Sequence, residues 1–74
     1  MSKTYKIIEI VGTSPESFAE ATRNAVEEAG KTIKAIGWFE VDRLGGRIEG
    51  DKVTEFQAKL KVGFRLLSPE ELKK

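Results

Sequence analysis

Apolar and polar positions alternate one for one from Phe56 to Leu66. Phe56, Ala58, Leu60, Val62, Phe64 and Leu66 interleave with Gln57, Lys59, Lys61, Gly63 and Arg65. Successive side chains of an extended chain point to opposite faces, so this pattern specifies a strand with one dry face and one wet face. The strand is predicted over Val53–Leu66. A slip of one residue would turn every apolar side chain to water, so its pairing register is fixed. The rest of the chain must pair with this strand and cover its apolar face.

Three further segments can do so. Tyr5–Val11 (YKIIEIV) is rich in β-branched residues and reads as a strand, largely apolar on both parities. Gly12-Thr13-Ser14-Pro15-Glu16 reads as a helix start, with Ser14 as cap, Pro15 in the first turn and Glu16 near the positive end of the dipole. Phe18, Ala25, Val26, Ala29, Ile33 and Ile36 then follow a helical period, which predicts a helix over 15–34 despite Gly30. Gly37–Leu44 (GWFEVDRL) reads as a strand, closed by Gly45-Gly46 as a bulge, bend or loop, and Gly50-Asp51 marks a turn. The order is β-α-β-β. A helical return makes the first two strands parallel in direction, so the third fits between them. The prediction is a single small α+β domain over 1–74, with a three-stranded antiparallel sheet of order 1-3-2 against one helix. Its ordered core spans about 4–67, and residues 68–74 form a frayed tail. The outer strands are open edges that invite pairing with another chain.

The chain has 74 residues, and no Cys or His is among them. A disulfide scaffold, a thiolate metal site and imidazole acid–base chemistry are therefore excluded. The charges nearly cancel, 13 Lys+Arg against 12 Asp+Glu, which speaks against a nucleic-acid module. No apolar run is long enough for a membrane-spanning helix. The opening MSKTYK lacks an apolar signal core, so the expected location is cytoplasmic. A domain this small gains little from one core, which points to assembly of several copies.

The second strand puts Phe39 and Val41 on the core parity. Trp38, the only tryptophan, falls on the other parity with Glu40 and Asp42. It is either an ordinary surface or packing residue, a subunit contact, or a platform for a flat ligand. Gln57 lies on the same kind of face in the third strand. It is either a solvated polar side chain or a reader of a heteroaromatic edge, since its amide both donates and accepts. Lys59, Lys61 and Arg65 continue that face, and Arg43 and Arg47 flank the double glycine. They serve solubility, or some of them draw a phosphate or an acidic ligand tail. No phosphate-cradling glycine motif is present. Glu27-Glu28 reads as a solvated pair. Glu9, Glu40 and Glu55 form no recognisable catalytic dyad.

Taken together, EIVGTSPESF (9–18), IGWFEV (36–41) and EFQAKLKVGFRL (55–66) resemble the dodecins, a family of small flavin-binding proteins. The resemblance covers nearly the whole chain, about 4–67. It implies a homododecameric hollow shell. It also implies non-covalent flavin binding at two-fold axes, between the ring of Trp38 and its symmetry mate, with Gln57 on the pyrimidine edge. Gly37, Arg65 and Arg47 are the further flavin-site candidates. The implied role is storage, buffering and photoprotection of flavin rather than turnover, and no residue is assigned as a metal ligand. The VGFRL ending is similar to bacterial members and favours FMN, with riboflavin and FAD as alternatives. Arg65, Lys3 and Lys6 are candidates for its phosphate. Some relatives carry Arg where this chain has Gly45, so the phosphate contacts depart from theirs. Some relatives are described as binding coenzyme A, which these residues neither support nor exclude. The alternative reading is an oligomeric structural or protein-interaction module that uses the Trp38 face.

Overall fold

The alternating segment forms the centre of a three-stranded sheet. In the computed structural model, which describes residues 3–68 and 70, β1 is Tyr5–Ser14, α1 is Phe18–Gly30, β2 is Ile36–Glu49 and β3 is Lys52–Arg65. The sheet order is β1-β3-β2, and both pairings are antiparallel. Fold class, element order and strand order match the sequence reading. The tail read as a frayed stub falls mainly outside the described residues.

The helix packs on one face of β3 and β1. Ala58, Leu60 and Val62 of β3 and Ala21 and Ala25 of α1 form the buried core, with Ile8, Ile10, Val26 and Ile36 packed against it. Three of those five buried residues are alanines, which lets the helix lie close to the sheet. Gly12 sets that approach. A Cβ added there would run into the Ala21 carbonyl and the Ala25 methyl. Gly12 pairs with Ala58 in the ladder, so a glycine and an alanine sit side by side under the helix.

Both helix ends differ from the prediction. The helix begins at Phe18, not at 15, and its cap is Ser17 rather than Ser14. Ser17 has extended backbone, and its Oγ accepts from the Glu20 N–H at 3.0 Å. Ser17 and Glu20 carry the residue types and spacing of a capping box, a stronger start than the Ser14-Pro15 step. Ser14 instead ends β1. Its Oγ accepts from the Glu16 N–H at 2.9 Å and the Ser17 N–H at 3.4 Å, which folds the connecting turn. At the other end the helix stops at Gly30, not 34. Ala35 takes a left-handed φ of 63° and steers the chain into β2. Ile36, read as a helical position, is the first residue of that strand.

β2 continues well past Leu44. Gly45 and Gly46 do not break it; they pair with Gln57 and Phe56, and the hairpin turn comes at 50–51. Strands of about 14 residues run roughly twice the length of the helix. The chain is thus elongated, 53 × 21 × 14 Å, with a radius of gyration of 15.2 Å. A compact chain of this length would have about 11 Å. The helix therefore leaves apolar residues of β2 uncovered. Phe39, Val41 and Leu44 face the helix side yet are exposed, and Ile48 near the hairpin tip is 70% exposed.

Gly12→Ala is expected to lower stability by about 1–3 kcal/mol, the usual range for overpacking a close contact. Urea unfolding at matched protein concentration would read this as a lower midpoint. An unchanged midpoint would mean that the helix can lift from β1 without loss.

Candidate functional site

The face of the sheet away from the helix carries the candidate residues. Trp38 arrives there through a β-bulge. Ile36 pairs with Phe64 on the core side, and Trp38 pairs with Gly63 on the opposite side. Residues two apart share a face in a regular strand. The extra residue, Gly37, breaks that rule and lets Ile36 enter the core while Trp38 leaves it. A second bulge between Val41 and Arg43 does the same, with Val41 opposite Leu60 and Arg43 opposite Lys59.

The indole of Trp38 is held on three sides. It lies over Gly63, where an added Cβ would overlap the six-membered ring. Tyr5 meets it edge-on, with ring centroids 5.2 Å apart and planes at 71°. Its Nε1–H donates to Glu40 Oε2 at 3.1 Å. Trp38 remains 38% exposed. A large aromatic surface is thus fixed in place yet open to a neighbour.

Gln57 shares this face but not this neighbourhood. It pairs with Gly45 on one side and Thr13 on the other. It lies six positions before Gly63 along β3, or about 20 Å away at roughly 3.3 Å per residue. The two residues of one chain therefore stand at separate places along β3. Beside Gln57, Glu55 accepts a hydrogen bond from its Nε2 at 2.9 Å, and Arg47 Nε stands 3.7 Å from the same Glu55 oxygen.

The basic residues separate into groups. Lys59 Nζ lies 3.8 Å from both Glu9 Oε1 and Asp42 Oδ2, which ties β1 and β2 across β3. Lys61 is paired in register with Glu9 and Glu40. Arg65 pairs with Tyr5 and so shares the Trp38 face. Lys6, opposite Phe64, turns to the helix side and cannot join Arg65 there. Lys3 precedes β1 and is exposed. Away from the site, the Glu28 carboxylate, 2.9 Å distant, holds the exposed Lys31 ammonium above its ordinary range. Among the described residues, no helix is long and apolar enough to cross a membrane.

Sequence reading alone assigns no site role to four residues that shape this face, namely Tyr5, Glu40, Glu55 and Gly63. Gly63 had a visible signal. It is the one glycine in a run of long polar side chains, opposite the only tryptophan once the strand order is known.

The family model described as Dodecin matches residues 4–67. The chain belongs to the dodecin family. A dodecin from Thermus thermophilus is 46% identical over 66 residues, covering 89% of this chain and 96% of that protein. The solved dodecin of Streptomyces coelicolor superposes with a TM-score of 0.86 at 45% identity, covering 89% of this chain and 94% of the other. A calcium dodecin from Mycobacterium tuberculosis is 31% identical, covering 84% of this chain and 87% of the relative.

Gly63→Ala should push the indole off β3. Near-UV circular dichroism and tryptophan emission should then change in the ligand-free protein. Gly45→Ala is the control, because a Cβ there meets nothing within 4 Å, and it should leave both spectra as they are. Identical spectra for the two variants would show that Gly63 does not seat the ring.

Proposed function

We propose that this dodecin binds flavin without a covalent bond, and that it stores and buffers flavin rather than turning it over. The observation that carries this reading is the Trp38 ring, fixed over Gly63 and against Tyr5 but open to a neighbour. Stacking needs an aromatic face that does not have to be ordered on binding, and a seated indole supplies one. Gln57 supports the reading with an amide suited to a heteroaromatic edge, and bare Gly45 leaves space beside it.

The distance between Trp38 and Gln57 makes the proposed site intermolecular. Stacking and edge recognition of one flavin then come from different copies of the chain. The incompletely covered apolar side of β2 supports assembly on its own account, because Phe39, Val41 and Leu44 stay about half exposed. A homododecamer with symmetry-related Trp38 rings around stacked flavins is the arrangement proposed, in the cytoplasm, with neither nucleic acid nor membrane as partner. FMN is the proposed flavin, with riboflavin and FAD as alternatives. Arg65 is the proposed phosphate contact because it shares the Trp38 face. Gly37 acts by setting the bulge. Arg47 acts near Gln57 through Glu55. Among the described residues no three His, Cys, Asp or Glu side chains gather as a metal site, and no calcium site is proposed.

Titration of flavin-stripped protein with FMN should quench flavin fluorescence saturably, at one flavin per chain. Trp38→Ala should abolish the quenching while the oligomer persists in size-exclusion chromatography. Gln57→Ala should weaken binding by about 1–3 kcal/mol, or roughly 5- to 150-fold. No quenching by an intact oligomer would remove the flavin reading and leave the Trp38 face as a protein-interaction surface.

A further inference from the structure

The Gln57 amide is not free to choose which way it points. Its Nε2 donates to Glu55 Oε1 at 2.9 Å in a part-buried contact. The two residues are two apart on β3, so the strand itself presents them side by side. A carboxylate only accepts hydrogen bonds. The amide must therefore turn its NH2 group toward Glu55 and its carbonyl Oε1 away. Arg47, paired with Glu55 across the ladder, places Nε 3.7 Å from the same oxygen and helps to keep the carboxylate there. On the neighbouring ladder position Gly45 contributes no side chain, and a Cβ would meet nothing within 4 Å.

We infer that Glu55 is a positioning residue, which fixes the Gln57 amide so that the site selects a ring edge carrying an N–H donor. The inference rests on the flavin reading and deepens it. One Nε2 hydrogen goes to Glu55. The other, together with Oε1, offers a donor beside an acceptor. An imide edge, with N–H flanked by carbonyls, complements that pair. With Glu55 removed, the amide can turn over and set its NH2 against the ligand N–H. That exchanges a hydrogen bond for two opposed donors.

The test compares riboflavin with 3-methylriboflavin, which lacks the ring N–H. The intact protein should prefer riboflavin by about tenfold or more, the size of one buried hydrogen bond. Glu55→Ala should shrink that preference by about threefold or more, mainly through weaker riboflavin binding. Glu55→Thr, which keeps β propensity, serves if the alanine variant does not assemble. A second readout needs no ligand. The Gln57 side-chain NH2 resonance, assigned with Gln57→Ala, should shift in the Glu55 variants. An unchanged preference and an unchanged resonance, with riboflavin still bound, would overturn the role of Glu55 alone. Failure of both flavins to bind the intact protein would overturn the flavin reading and this selectivity with it, while the resonance still reports the Glu55–Gln57 contact.

Discussion

The close approach of helix and sheet at Gly12 determines most of this fold. Gly12 and Ala58 below, and Ala21 and Ala25 above, leave room for backbone to approach backbone. A contact made of such small groups buries little apolar volume, and among the described residues Leu60 and Val62 are the largest side chains fully enclosed. It does hold the helix over β1 and β3, and so away from β2. The longest strands of the sheet then extend beyond any cover the chain can provide. The exposed apolar side of β2 follows from the seam, and it is the surface that the proposed assembly would cover.

The opposite face depends on a different device. A strand with strict alternation cannot send both Ile36 and Trp38 where they are needed. Ile36 is useful to the core, and Trp38 is useful outside it. The bulge at Gly37 resolves the conflict at the cost of one unpaired position. Gly63 then completes the platform, because only a residue without a side chain lets the indole lie flat on β3. Two glycines in different strands thus serve one tryptophan, one by shifting its register and one by making room.

Much of this was legible in the sequence, for identifiable reasons. The alternation around Leu60 fixed the central strand and its dry face, and chain direction then left one strand order. Trp38 fell on the wet face because Phe39 and Val41 marked the dry one. The helix ends were not legible to the same degree. Two serines three apart both have capping chemistry, and the capping-box spacing of Ser17 and Glu20 outweighs the Ser14-Pro15 step. Gly45-Gly46 carried the composition of a loop but lies in a ladder, since the pairing with β3 outweighs local preference. Distance along the strand was hidden too. Parity places Trp38 and Gln57 on one face, but only the register shows how far apart they lie.

That separation gives the proposed site its character. Trp38 stands at one end of β3 and Gln57 toward the other, so each chain holds two unlike half-sites. On the proposed reading, neither serves a flavin until a second copy supplies the complement. Binding energy from stacking and from edge recognition is then shared between subunits. Flavin bound only by the assembled form stabilises that form by mass action. A chain with a core this small has reason to link its assembly to its ligand, because the surfaces that assembly must cover are the ones its own helix leaves open.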